Sequence, residues 1–278
     1  MATPGGILQV VSGDVATPVD LEAKSLGGVY HLGGGRVFVL EFGGDRVFEL
    51  LWAGGVLTRK RTFEVGSAPR LLAQSDKVVR VVSRDPEQPL TDIDLLTGAT
   101  TTPAAGGELV ADLKWYDGGF QAAWIREAKV GSTDVEAEPY KLHAAPSGLY
   151  ALHAGKAVLT RVGDGKTTSL TGSATAMAGD VALLLAGSGS LQIVREMEVV
   201  ASHAVPVGSS DLVVVDGVAV VAAGSTGTLT LVGVSGDRPV ATPTVTVPYA
   251  AGRLHVGPGV VWVSSPQSGQ VARCTWSR

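Results

Sequence analysis

Leu212-Val213-Val214-Val215-Asp216-Gly217-Val218-Ala219-Val220-Val221-Ala222-Ala223 is the stretch whose reading decides the fold. Two runs of small, mostly β-branched residues flank an Asp-Gly pair. Asp-Gly between such runs is a strong two-residue hairpin signal, because the favoured hairpin turn needs positive φ at both central positions. The same arrangement, a short apolar segment, a tight turn and a stronger apolar segment, recurs along the chain. It appears at Val29–Leu32 with Gly33–Gly35 and Arg36–Phe42, at Arg70–Gln74 with Ser75-Asp76 and Lys77–Ser83, and at Leu109–Tyr116 with Asp117-Gly118 and Phe120–Ile125. Further instances are Leu149–His153 with Ala154-Gly155, Ala174–Ala178 with Gly179-Asp180, and Arg253–Val256 with Gly257-Pro258-Gly259.

The turns recur about 40 residues apart, the length of one four-stranded propeller blade, except for a gap of about 25 between Gly155 and Gly179. Third and fourth strands follow the hairpins, as at Arg46–Trp52 and Leu57–Val65, Leu90–Leu96 and Ala99–Thr102, and Thr228–Val234 and Val240–Val247. The pattern predicts an all-β chain forming a single β-propeller domain over residues 1–278, with seven blades of which the fourth is reduced, or six as the alternative. The N-terminal ILQVVSGDVATPVDL reads like LTLVGVSGDRPVATPTVTV of the sixth repeat, and the last repeat runs out at Gln270–Trp276. The N-terminal strands are therefore expected to close the ring, which leaves only short, protected edges.

These turns, together with Thr91-Asp92-Ile93-Asp94-Leu95-Leu96-Thr97-Gly98, resemble the broad family of YVTN-repeat and quinoprotein-like β-propellers. WD and GH signatures are missing, as are the docking motifs of true quinoproteins, so the resemblance implies a fold and no activity.

Charged residues are 17% of the chain and the net charge is −4, with the basic residues dispersed, so nucleic acid is not an expected partner. Cys274 is the sole cysteine, which rules out an intrachain disulfide. Asparagine is absent, so N-linked glycosylation is impossible and turns rely on glycine and aspartate. No apolar run approaches the roughly 18 residues of a spanning helix, and membrane insertion is not expected. MATPGGILQVV has no basic n-region before a long apolar run and does not read as a secretory signal. A cytoplasmic or virion-associated location is the expectation.

Gly163-Asp164-Gly165-Lys166-Thr167-Thr168 has the flavour of a phosphate loop, but Thr160 stands where the first glycine belongs and strand-like sequence follows in place of a helix. Ala186-Gly187-Ser188-Gly189 lacks the outer glycines of a nucleophile elbow. Asp92 and Asp94 share one strand face and suit an ion pair as well as an acid–base pair. Cys274 reads as a buried, inert thiol. No metal or cofactor is expected. The metal candidates are His31, His153 and His255, which fall on predicted innermost strands lining a propeller's channel.

The expected working surface is a binding surface. Trp115, Tyr116, Phe120 and Trp124 cluster on one hairpin, and Trp124 leads into Arg126 and a polar excursion through Glu138. Trp and Arg are enriched in binding hot spots, though aromatics also fill cores. The loop Ser83–Pro89, with Arg84 and Asp85, joins second to third strands as the 126–138 segment does, which puts both on one face. The favoured reading is a non-enzymatic structural or protein-interaction propeller in a larger assembly, such as a virion or tail. The alternatives are a glycan-binding propeller and a metal-dependent hydrolase or lyase.

Overall fold

Alternating burial along the strands organises the computed structural model, which describes residues 7–12, 15–105, 107–180, 182–185, 187–224, 226–234, 240–241, 244–247, 249, 251–257, 260–265 and 270–275. Pro258, Gly259 and Trp276 of the seventh repeat lie outside them. Strands and turns make up these residues, with no helix among them, and so none long and apolar enough to cross a membrane. The chain divides into two compact units, Met1–Ser132 and Thr133–Arg278.

The first unit opens with a hairpin, β1 (Ile7–Ser12) and β2 (Val15–Asp20), which pair with each other. The first blade is β3 (Leu26–Leu32), β4 (Arg36–Glu41), β5 (Arg46–Ala53) and β6 (Val56–Glu64), antiparallel in that order. The second is β7 (Pro69–Gln74), β8 (Val78–Ser83), β9 (Leu90–Asp94) and β10 (Thr100–Thr101). The third starts with β11 (Val110–Tyr116), β12 (Gly119–Trp124) and β13 (Lys129–Val130).

The second unit opens with β14 (Thr133–Asp134). The fourth blade is β15 (Pro139–Ala145), β16 (Gly148–His153), β17 (Val158–Arg161) and β18 (Thr167–Ser169). The fifth is β19 (Ala176–Ala178), β20 (Ala182–Leu185), β21 (Ser190–Arg195) and β22 (Glu198–Ala204). In the sixth, β23 (Ser209–Val215), β24 (Val218–Ala223) and β25 (Thr228–Gly233) are followed by β26 (Val240–Ala241) and β27 (Val245–Thr246), both paired to β25. The seventh is β28 (Arg253–Gly257), β29 (Val260–Ser264) and β30 (Val271–Cys274). Seven successive antiparallel blades make this a seven-bladed β-propeller, and the six-bladed alternative falls away.

The hairpin turns form as the Asp-Gly pairs require. Asp117 and Gly118 have φ of 47° and 76°, and Asp216 and Gly217 have 50° and 76°. The fourth blade differs from the sequence reading. Its first hairpin turns at Pro146-Ser147, whereas Ala154-Gly155 joins its second and third strands. The missing strand is Pro139–Ala145, hidden because Pro139-Tyr140-Lys141 starts it without alternation. The blade has four strands, of 7, 6, 4 and 3 residues, and so is not reduced beside the second blade, whose strands have 6, 6, 5 and 2.

Each described hydrophobic cluster joins consecutive elements. In the first unit Phe38, Leu40 and Val47 of the first blade pack with Val79, Val81 and Ile93 of the second. The neighbours Val39, Phe48 and Leu50 face the other way, against Leu8 and Leu21. In the second unit Ala219 and Val221 face the fifth blade, while Val220 and Ala222 face the seventh. Period two thus feeds two cores from one strand, and the middle strands lose the polar alternation of a sheet with one wet face. The outer strand β22 recovers it, alternating exposed and half-buried positions.

Leu40 is fully buried at the interface of the first two blades. Leu40→Ala should lower the unfolding free energy by about 2–5 kcal/mol, measured by urea denaturation, whereas Thr62→Ser on the exposed side of β6 should stay within about 0.5 kcal/mol.

Candidate functional site

The loop 84–89 leaves β8 and is fastened before it can fray. Asp85 accepts hydrogen bonds from the Ser67 amide at 3.2 Å and from the Glu87 and Gln88 amides at 3.0 and 3.2 Å. Its carboxyl is held below the usual aspartate range, chiefly by the Ser67 amide and then by that of Glu87. The Arg84 amide donates to the Ser67 carbonyl at 3.0 Å, so the loop is tied to the segment between the first two blades. Gly66 makes room for this: a Cβ there would lie 2.2 Å from the Gln88 carbonyl oxygen.

The loop after β12 is fastened similarly. Arg126 pairs with Glu108, and the Glu127 carboxylate accepts from the Glu108 amide at 3.1 Å. Between these two loops lies a groove of about 630 Å³, lined by Pro86, Glu87, Pro89, Pro103, Glu108, Leu109 and Arg126 among others. A smaller pocket of about 410 Å³ adjoins it and shares Pro86, Pro89, Glu108 and Leu109, adding Arg70, Ser83, Arg84 and Asp85. Both loops connect second to third strands, as their order in the sequence implies.

The sequence-predicted residues separate into two groups. Arg126 lines the groove, and Arg84 and Asp85 line the smaller pocket beside it. Trp115 and Tyr116 sit at the opposite end of the same hairpin, beside the Asp117-Gly118 turn, where Trp115 pairs with Phe120 across the strands. The Trp115 ring meets Phe120 edge-on at 4.8 Å and remains 38% exposed. Trp124 is buried among Val82, Leu90, Val110 and Leu113, and serves the interface of the second and third blades. It is no part of a surface. Its far-end position could have been read from its distance to the turn, since an antiparallel hairpin six residues long is about 20 Å from tip to base.

Asp92 forms a bidentate pair with Arg80 at 2.6 and 2.7 Å, and Arg80 also stacks over Phe120 at 4.4 Å. Asp94 caps its own turn through the Leu96 and Thr97 amides, which hold its carboxyl below the usual range, the Thr97 amide foremost. Asp164 likewise is engaged by Arg161, which lowers its carboxyl to about 2.

His153 requires a correction. It lies on β16, the second strand of its blade, because Pro139–Ala145 occupies the first. Its ring is buried between the Ala137 carbonyl at 2.9 Å and the Thr160 hydroxyl at 2.7 Å. Burial pushes its pKa down, partly opposed by the Ala137 contact. Both ring nitrogens are spent on the fold. His31 and His255 are exposed on the first strands β3 and β28. Among the described residues no group of three or more His, Cys, Asp or Glu is placed to hold a metal. Burial raises the Cys274 thiol pKa.

What sequence reasoning missed is Arg70. Its backbone sits at a β-bulge, where the register slips between Pro69 and Leu71. Bulges re-aim side chains, and here the guanidinium lines the smaller pocket. Pro69-Arg70 opening an apolar run was the only available signal.

No protein-family model matches the chain, and no curated protein matches it. Among solved structures the chain is similar to BamB from Moraxella catarrhalis, with a TM-score of 0.73 and 14% identity over 99% of this chain and 92% of that one. It is also similar to Saccharomyces cerevisiae Sqt1, with a TM-score of 0.76 and 8% identity over 100% of this chain and 92% of that one. A streptogramin B lyase gives a TM-score of 0.63 and 10% identity over 89% and 92%. At these identities the likeness is one of fold, and it bears out the broad β-propeller resemblance.

A carboxyl with a depressed folded pKa contributes stability above its ordinary value, about 4. That contribution is lost as pH falls through the lower folded value. Hydrogen exchange should therefore show Glu87 and Gln88 amides losing protection below about pH 4, and Asp85→Ala should abolish that protection at neutral pH.

Proposed function

We propose that this chain is a non-enzymatic protein-interaction propeller that receives an extended segment of a protein partner in the groove between loops 84–89 and 125–128. The observation that carries the reading is the groove's preorganisation. Asp85, Arg126 and Glu127 hold its two walls by bonds within the chain, so little ordering remains to be done on binding. Pro86, Pro89 and Pro103 give it a stiff apolar lining with few lost rotamers. Ala68 and Ala128 beside these loops hold φ of 51° and 48°, left-handed geometry that the surroundings must enforce.

Asp85 and Glu108 are engaged in holding the loops, which argues against acid–base work by either of them. Fold alone does not choose: the similar structures include a chain that is a lyase by name. Under this reading the propeller is one component of a larger assembly, with a virion or tail as one setting and a cytoplasmic or virion-associated location.

A photo-crosslinking residue at Glu87 in the groove, compared with one at Asp117 on the opposite end of the third blade, tests the reading in cells of the native source. A discrete protein adduct from position 87, with none from position 117, is expected. No adduct at position 87, or the same adducts from both positions, would overturn it.

A further inference from the structure

We infer that the pocket formed by Arg70, Ser83 and Arg84 binds the side-chain carboxylate of an acidic residue in the partner's segment. This rests on the interaction reading above and says what the groove recognises. Three observations meet there. Arg70 is half-buried, and its Nε is buried without a hydrogen-bond partner. The Ser83 hydroxyl, on a residue 4% exposed, also lacks a partner. Arg84 is exposed on the same pocket and makes no ion pair with any described carboxylate.

A buried donor left unmade is costly, so a site that keeps two of them beside two unpaired guanidinium groups is arranged for an incoming acceptor. Arginine suits that acceptor being an oxyanion, because its planar fork matches carboxylate geometry in two parallel bonds. Burial, and then the Arg84 charge, lower the Arg70 pKa, which is the mark of cations crowded together without a counter-ion. The carboxylates nearby do not fill the role. Asp85 is occupied by the Ser67, Glu87 and Gln88 amides, and Glu108 by Arg126.

Charge count chooses a carboxylate over a phosphate. Asp85 and Glu108 line the pocket and Glu87 lines the adjoining groove. Two arginines neutralise a single added charge comfortably, whereas a dianion would meet repulsion from these acids. The prolines and Leu109 of the groove then take the flanking residues of the segment.

The probe is an end-blocked, fluorescently labelled hexaglutamate peptide, read by anisotropy at low ionic strength against the intact chain. Hexaglutamate should bind, and hexaglutamine with the same label should bind at least about tenfold more weakly. Arg84→Gln and Arg70→Gln should each weaken hexaglutamate about tenfold, the scale of one charge-assisted hydrogen bond. Lys156→Gln in the fourth blade should change nothing. Arg84 is exposed, so its variant separates lost binding from lost folding, and Arg70→Lys should recover part of the affinity. Absence of hexaglutamate binding, equal binding by Arg84→Gln, or stronger displacement by inorganic phosphate than by free glutamate would overturn the inference. A partner that still crosslinks from position 87 in the Arg70→Gln, Arg84→Gln chain would overturn it while leaving the interaction reading standing.

Discussion

The middle strands of the first and sixth blades carry apolar residues on both faces, and the packing around them follows from that constraint. A four-stranded antiparallel sheet whose middle strands carry apolar residues on both faces must be covered twice. The neighbouring blades do the covering. Phe38, Leu40 and Val47 are covered by the second blade, and Val39, Phe48 and Leu50 by the N-terminal hairpin. In the second unit Ala219 and Val221 serve one interface and Val220 and Ala222 the other. Within each unit the repeats depend on their neighbours, as in other repeat architectures where single units cannot bury their own cores. Small residues dominate some of these interfaces, which lets sheets approach closely at the cost of less area per side chain.

Polar contacts then lock adjacent blades in register. The Tyr30 hydroxyl donates to the Arg70 carbonyl at 3.4 Å, and Ser210 to that of Ala251 at 3.0 Å. Tyr140 donates to Ala174, and burial pushes its phenol up to about 12. Asp211 accepts from the Leu254 amide at 2.9 Å. Glu49, fully buried on the first blade, is balanced by Arg61 at 2.5 Å with Arg36 and Lys60 further out. Such a buried carboxylate is retained because cations surround it. Arg70 Nε and Ser83 Oγ are buried without hydrogen-bond partners, as are Glu49 Oε1, Glu127 Oε2 and His203 Nε2, but Arg70 and Ser83 line one pocket together, which is why that pocket anchors the functional reading.

The errors of sequence reading have specific physical origins. Pro139–Ala145 gives no strand signal because a strand buried unevenly has no clean period of two, and the sequence therefore puts His153 on the first strand of its blade, where the structure has the second. Trp115 and Trp124 were grouped because they are close in sequence. An antiparallel hairpin separates its tip from its base, and it sent one to an exposed turn and the other into an interface. Pro86, Glu87, Pro89 and Arg126 do border one groove, but the polar excursion expected from Arg126 through Glu138 is broken by the short strands β13 and β14, whose few residues carry too little period-two signal to read.

Blade repeat, hairpin turns and strand alternation were determined by the sequence alone, since local turn chemistry and side-chain period are properties of neighbouring residues. Asp-Gly demands its turn wherever it stands, and period two demands two buried faces. Which charged groups are spent and which are free was decided only by the tertiary structure. Asp85 looks available in sequence and is consumed by backbone amides, whereas Arg70 looks like the start of a strand and is turned by a bulge into a pocket. Those outcomes depend on residues 13 or more positions away, such as Ser67 for Asp85 and Ser83 for Arg70, brought close by the fold.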